Sequence, residues 1–214
     1  DNEMRTLAAI LVATAVLATH VAGQVALTGV VRPLTLPSTC QQGTHGIECN
    51  PVRLQSHTVD LADFEGQNVR MLGFDVGVEC PVFEVFDVQE FPPTTLTRCG
   101  SPVPGCELRL RSGPGALSQH WLLISGSSGF LPVSPVEGTF MLGEPFVVLG
   151  PVFSGAAEGV AFDFTIPPDV SLTGIEIFAQ SARRDVGPIG SLAFSNPVCF
   201  TILGPSPPCI EFDC

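Results

Sequence analysis

From Gln24 onward the apolar residues of this chain recur at every second position, in short runs that Gly and Pro cut apart. The clearest run is Val160, Phe162, Phe164 and Ile166, with Ala161, Asp163 and Thr165 between them. A period of two sends alternate side chains to the two faces of a strand, whereas one face of a helix needs 3.6. The pattern predicts an all-β fold. Gly and Pro supply 22 and 20 of the 214 residues, a share under the roughly 25–30% typical of disordered chains. They serve as turn punctuation. Hydrophobic residues, at 45%, suffice for a core, and charged residues reach only 14%.

The charge balance narrows the partners. There are 21 acids against nine bases, a net charge of −12, and every base is Arg. Most nucleic-acid affinity comes from neutralising phosphates, so no nucleic-acid partner is expected. Without Lys there is no Schiff-base or P-loop lysine.

The first residues look like an address. Arg5 follows Met4, an apolar run of twelve spans Leu7 to Ala18, and Val21, Ala22 and Gly23 offer a cleavage site before Gln24. Residues 1–23 are therefore expected to be a signal peptide, with Asp1 to Glu3 ahead of the start methionine. The run falls short of the ~20 residues of a membrane span, and an uncleaved anchor is the alternative. The first cysteine is Cys40, too distant for a lipoprotein anchor. Cleavage removes two acids and one base, leaving −11. The expected location is secreted, periplasmic or cell-surface, with no membrane span after cleavage.

Two β modules follow. Residues 24–90 hold alternating runs at 25–31, 52–59, 69–76 and 81–89, with a turn or short helical connection over 60–68. Four or five short strands suggest a small barrel, because closure removes open edges. The stretches Leu27-Thr28-Gly29-Val30-Val31, Val59-Asp60-Leu61 and Gly66-Gln67-Asn68-Val69-Arg70-Met71-Leu72-Gly73 resemble OB-fold-like modules of secreted bacterial proteins over about residues 25–90. Gly66 suits a turn and Gly73 a bend. OB barrels bind oligosaccharides or single-stranded nucleic acid; the acidity and the lack of an aromatic stacking platform argue against the latter.

Residues 91–105, with Pro92, Pro93, Pro102 and Pro104, are expected to form a semi-rigid linker. Residues 106–203 carry short strands at regular spacing divided by Gly and Pro, the pattern of a β-sandwich. Leu108-Arg109-Leu110-Arg111-Ser112-Gly113-Pro114-Gly115, Leu142-Gly143, Phe162-Asp163-Phe164-Thr165-Ile166-Pro167 and Ser195-Asn196-Pro197-Val198 resemble the C-terminal β-sandwich of planctomycete-type secreted proteins. That resemblance implies an accessory or surface module and brings no activity. Residues 204–214 are expected to be an extended, disulfide-closed tail.

The eight cysteines are Cys40, Cys49, Cys80, Cys99, Cys106, Cys199, Cys209 and Cys214. An even count in an exported chain points to disulfides, with 105 pairings open. Sequence proximity favours Cys40–Cys49 and Cys209–Cys214; a clamp between strands favours Cys106–Cys199, which leaves Cys80 with Cys99. The rival is zinc, since His45 lies between Cys40 and Cys49, but the short knuckle of structural zinc sites is missing.

Catalytic motifs are scarce. The mature part has His45, His57 and His120. His45 is expected on a disulfide loop, His57 in a strand near Asp60 on the surface, and His120 beside Trp121, itself expected in the core. Ser125-Gly126-Ser127-Ser128-Gly129 has the composition of a nucleophile elbow without its spacing, and is expected to be a hairpin turn. Asp60 with Asp63, or Glu79 with Glu84, offer carboxylate pairs without a cleft. Arg183-Arg184-Asp185 is expected at a charged turn. No calcium loop is present. No cofactor, metal or catalytic residue is assigned. The expected function is a non-enzymatic binding or structural module contacting a polysaccharide or surface protein through β faces. The alternative is a small secreted hydrolase.

Overall fold

A computed structural model describes residues 24–34, 43–77, 81–90, 94–115, 117–133, 136–155, 158–186, 190–204 and 209. The expected signal peptide lies outside them. The fold is all-β: the described residues form fifteen strands and two short 3-10 turns.

The first five strands are β1 (Val25–Pro33), β2 (His45–Ile47), β3 (Asn50–Gln55), β4 (Asn68–Asp75) and β5 (Val82–Gln89). They close into a barrel in the order β1-β2-β3-β5-β4. All neighbours are antiparallel except β3 and β5, which run parallel. The 60–68 connection contains a 3-10 turn, Leu61–Phe64, capped by the Asp60 carboxylate accepting from Ala62 N. Gly66 then takes φ +77, which a side chain would resist. Alternation fills the interior with Leu27, Val31, Val52, Leu54, Val69, Met71, Phe83 and Val85. Gly73 is required there, because a Cβ would run into the Phe83 ring and the Glu84 carbonyl.

Ten strands follow: β6 (Thr95–Gly100), β7 (Glu107–Gly113), β8 (Ser118–Ser125), β9 (Ser128–Pro132), β10 (Thr139–Leu142), β11 (Phe146–Ser154), β12 (Val160–Thr165), β13 (Glu176–Asp185), β14 (Leu192–Phe194) and β15 (Val198–Thr201). One sheet has the order β12-β7-β6 and a second β11-β8-β13-β14, with β15 also paired to β13. Strands β9 and β10 form a separate two-stranded sheet. Both faces of β8 are covered. Leu122 packs with Leu96, Leu110 and Phe162 of the first sheet, while Trp121 and Leu123 pack with Phe140 and Leu142 of the small one. Trp121 is thus a core residue, as expected.

The small sheet also meets the barrel. Met141 belongs to the barrel's core cluster, and Phe130 packs against it. Thr139 Oγ1 donates to the Ala26 carbonyl at 2.8 Å, and Asn50 Nδ2 to the Gly129 carbonyl at 2.7 Å. Asn68 Nδ2 donates across the same junction to Asn196 Oδ1 at 3.1 Å. Asn196 in turn accepts from Leu96 N and donates to Leu96 O, so its amide pairs with the edge of β6 as a one-residue neighbouring strand would.

Several local expectations change. Strand β2 occupies part of the expected cysteine loop, and β6 lies inside the expected linker with Leu96 fully buried. Ser125–Gly129 carries the chain from one sheet to another and is no hairpin, since β8 and β9 do not pair. Arg183-Arg184-Asp185 ends β13 and makes no turn.

The disulfides differ most. Cys49 pairs with Cys199, 150 residues away, and Cys106 with Cys209, 103 away. This overturns Cys40–Cys49, Cys106–Cys199 and Cys209–Cys214. Cys49 lies in the tight turn between β2 and β3, where the barrel approaches β15, and the two α-carbons come within 5.4 Å. Proximity in space beats proximity in sequence. Cys99 is also disulfide-bonded; its expected partner Cys80, with Cys40 and Cys214, lies outside the described residues.

Candidate functional site

Among the described side chains, two groups combine a histidine with hydroxyl neighbours. His120, on β8, faces β7. Ser112 Oγ lies 2.9 Å from its Nδ1, and Ser118 Oγ 2.8 Å from its Nε2. Ser112 Oγ is also 2.9 Å from Ser181 Oγ on β13. A hydroxyl both donates and accepts, so the neutral ring is satisfied at each nitrogen. All four residues are fully buried. Burial, helped by the Arg183 guanidinium, pushes His120 down to about 4, against a smaller upward pull from Asp185. A neutral imidazole beside two serines has the inventory of a nucleophile and base, but no substrate reaches a fully buried hydroxyl. The cluster pins the two sheets together.

The second group is on the barrel. Thr44 Oγ1 lies 2.8 Å from Nδ1 of His45, whose Nε2 lies 3.2 Å from Glu65 Oε1. His45 is nearly buried in β2, not on a loop, while Thr44 and Glu65 reach solvent. The zinc alternative fails here, because Cys49 is consumed in its disulfide. Among the described residues no cluster of three metal-binding side chains occurs. His57 is exposed in a bend after β3, as a surface residue, and Asp60 is engaged as the 3-10 cap. Glu84 bonds Gln55 at 2.7 Å; Glu79 lies outside the described residues.

Sequence reasoning missed an aromatic pair on the outside of the barrel. Val52 and Leu54 point inward from β3, so Arg53 and Gln55 lie on the outer wall. By the same parity Phe74 and Leu72 leave β4 outward, and Glu84 leaves β5. In register, Gln55 opposes Glu84 and Glu84 opposes Phe74. A register shift between Leu72 and Gly73 then brings Phe86 beside Phe74, with ring centroids 5.3 Å apart and planes at 36°. Phe74 is 42% exposed and Phe86 half-buried. The chain thus carries a tilted, outward aromatic pair that its sequence did not single out. Beyond it, Gln89 Nε2 donates to Asp87 at 3.3 Å, and Arg70 Nη1 donates to Gln89 Oε1 at 2.8 Å. Arg53 is buried, and its Nη1 has no hydrogen-bond partner among the described residues.

A second apolar surface is the edge strand β11, which carries no charged residue and leaves Val147 and Phe153 more than 60% exposed. A register shift between Leu149 and Val152 interrupts it, and Pro151 has no N–H to donate. Both features discourage pairing with a further strand.

The class of protein is an all-β, disulfide-bonded chain in which a five-stranded barrel is bridged to stacked sheets. Compared with protein-family models, curated proteins and solved structures, it matches none.

Proposed function

We propose that this is an exported, non-enzymatic binding or structural module of the cell surface or extracellular space, touching a polysaccharide or protein through a β face. One observation carries the reading: the His120 cluster is sealed in the scaffold, while the aromatic pair Phe74 and Phe86 lies on an outer strand face. The disulfides fit an oxidising compartment. No described helix is long and apolar enough to cross a membrane. The strand order β1-β2-β3-β5-β4, with β3 and β5 parallel, supports an OB-like barrel, and the architecture of planctomycete-type secreted proteins is part of the same proposal.

A hydrolase is the second reading, because Thr44, His45 and Glu65 align a hydroxyl, an imidazole and a carboxylate. Profiling the mature chain against ester, peptide and glycoside substrates, beside glycan and protein binding screens, separates the two. Binding without turnover is expected. Turnover abolished by His45→Ala would establish the hydrolase instead.

A further inference from the structure

Resting on that reading of a β-face binding module, we infer that the outer wall of β3, β5 and β4 is a binding site for an uncharged glycan chain, stacked on Phe74 and Phe86. The rings supply the apolar part. A pyranose offers one face of C–H groups and a rim of hydroxyls, each able to donate and to accept. Exposed aromatic faces suit the first. The second needs donors and acceptors fixed beside the rings, and Gln55–Glu84 on one side and Asp87–Gln89 on the other provide them. Each carboxylate has about four lone-pair sites, and the bonds described leave most of those sites on Glu84 and Asp87 to a ligand.

Charge selects among glycans. The chain as a whole carries −12, and on this wall Arg70 only partly offsets Glu84 and Asp87, since Arg53 is buried. A polyuronate or nucleic acid finds no excess of positive charge there and a repulsive field around it. An uncharged chain has no such penalty. From Glu84 to Gln89 the wall runs roughly 15 Å at strand rise, long enough for a short oligosaccharide. Along β5 the rings are bordered by polar side chains, Glu84 on one side and Asp87 on the other, whereas the centre of a protein interface is depleted in charge.

The test is affinity electrophoresis of the full mature chain in gels containing hydroxyethyl cellulose, laminarin, galactomannan or alginate. Retardation by at least one neutral polymer and none by alginate is expected. Phe74→Ala with Phe86→Ala should weaken that retardation at least tenfold, and Phe74→Trp should retain it. Both aromatic side chains lie on the outer wall, and an unchanged circular-dichroism melt checks the fold of each variant. Alginate binding, or neutral-glycan binding untouched by the double substitution, overturns the inference. If no neutral polymer binds but a surface protein does, the glycan site fails and the module stands; if neither binds, both fail.

Discussion

The barrel and the stacked sheets bury their strands differently. Among the described barrel residues only Thr28, His45 and Arg53 are buried and polar, and none of them belongs to its core cluster. Between and around the sheets, Ser112, Ser118, His120, Gln180 and Ser181 are all fully buried and all hydrogen-bonded. Gln180 alone accepts from Met141 N and donates to the carbonyls of Thr139 and Ser195. A closed barrel is held in register by its own ladder, since every strand has two neighbours. Stacked sheets meet mainly through side chains, and apolar contacts are non-directional. Hydrogen bonds of fixed geometry tell one alignment from another, so the sheets use a linked, fully buried set of them where the barrel has only the His45 contacts at its margin.

The largest effect is expected at the link between the two regions. Replacing Cys49 and Cys199 with Ser opens a loop that still spans dozens of residues with Cys106–Cys209 intact. The chain-entropy relation puts the loss at about 4 kcal/mol, measurable by urea unfolding. A loss under about 1 kcal/mol would show that Met141 and the Asn68–Asn196 bond hold the regions together without the bridge.

Acid should act next, and on the sheets. His120 is lowered from 6.5 to about 4 in the folded chain, so between those values the unfolded chain holds the extra proton. Its contribution is full above about pH 6.5 and is lost as pH falls toward 4, to a total of about 3 kcal/mol. Urea midpoints measured from pH 7 to 4 should fall in the parent and flatten in His120→Gln. An equal slope in both would place the acid sensitivity elsewhere.

Gln180→Leu strands three backbone groups, and about 2–3 kcal/mol is expected. Met71→Leu, the matched change in the barrel core, should cost less than about 1.5 kcal/mol. Equal losses in the two melts would erase the contrast. The smallest effect belongs to the exposed Arg109–Asp163 pair. Arg109 holds the Asp163 carboxyl below its usual range, yet solvent screens such pairs, and Asp163→Asn should leave the thermal midpoint unchanged at neutral pH.

Much of the fold is legible in alternation, and the exceptions have causes. Strand β2 has three residues, too few to show a period. Strand β6 hides because Thr97 and Arg98 are both exposed and prolines flank it. Strand β9 begins with Ser-Gly and is half-buried throughout, so neither face stands out. The site was less legible still. Phe74 and Phe86 each fit an alternating run, but a register shift decides that their rings meet. His120 finds Ser112 across a strand 8 residues away, Ser112 in turn finds Ser181 69 residues away, and the disulfide partners lie farther apart. Periodicity reports which face a residue takes and carries nothing about what stands opposite.

That the polar interior of the sheets is closed scaffold is tested most directly by following the Cε1–H resonance of His120 through a pH titration. A neutral ring sealed between Ser112 and Ser118 should stay unprotonated down to about pH 5 and titrate near 4. A midpoint near 6.5, the value of a free imidazole, would mean that water reaches the ring and that the serines around it are open to chemistry.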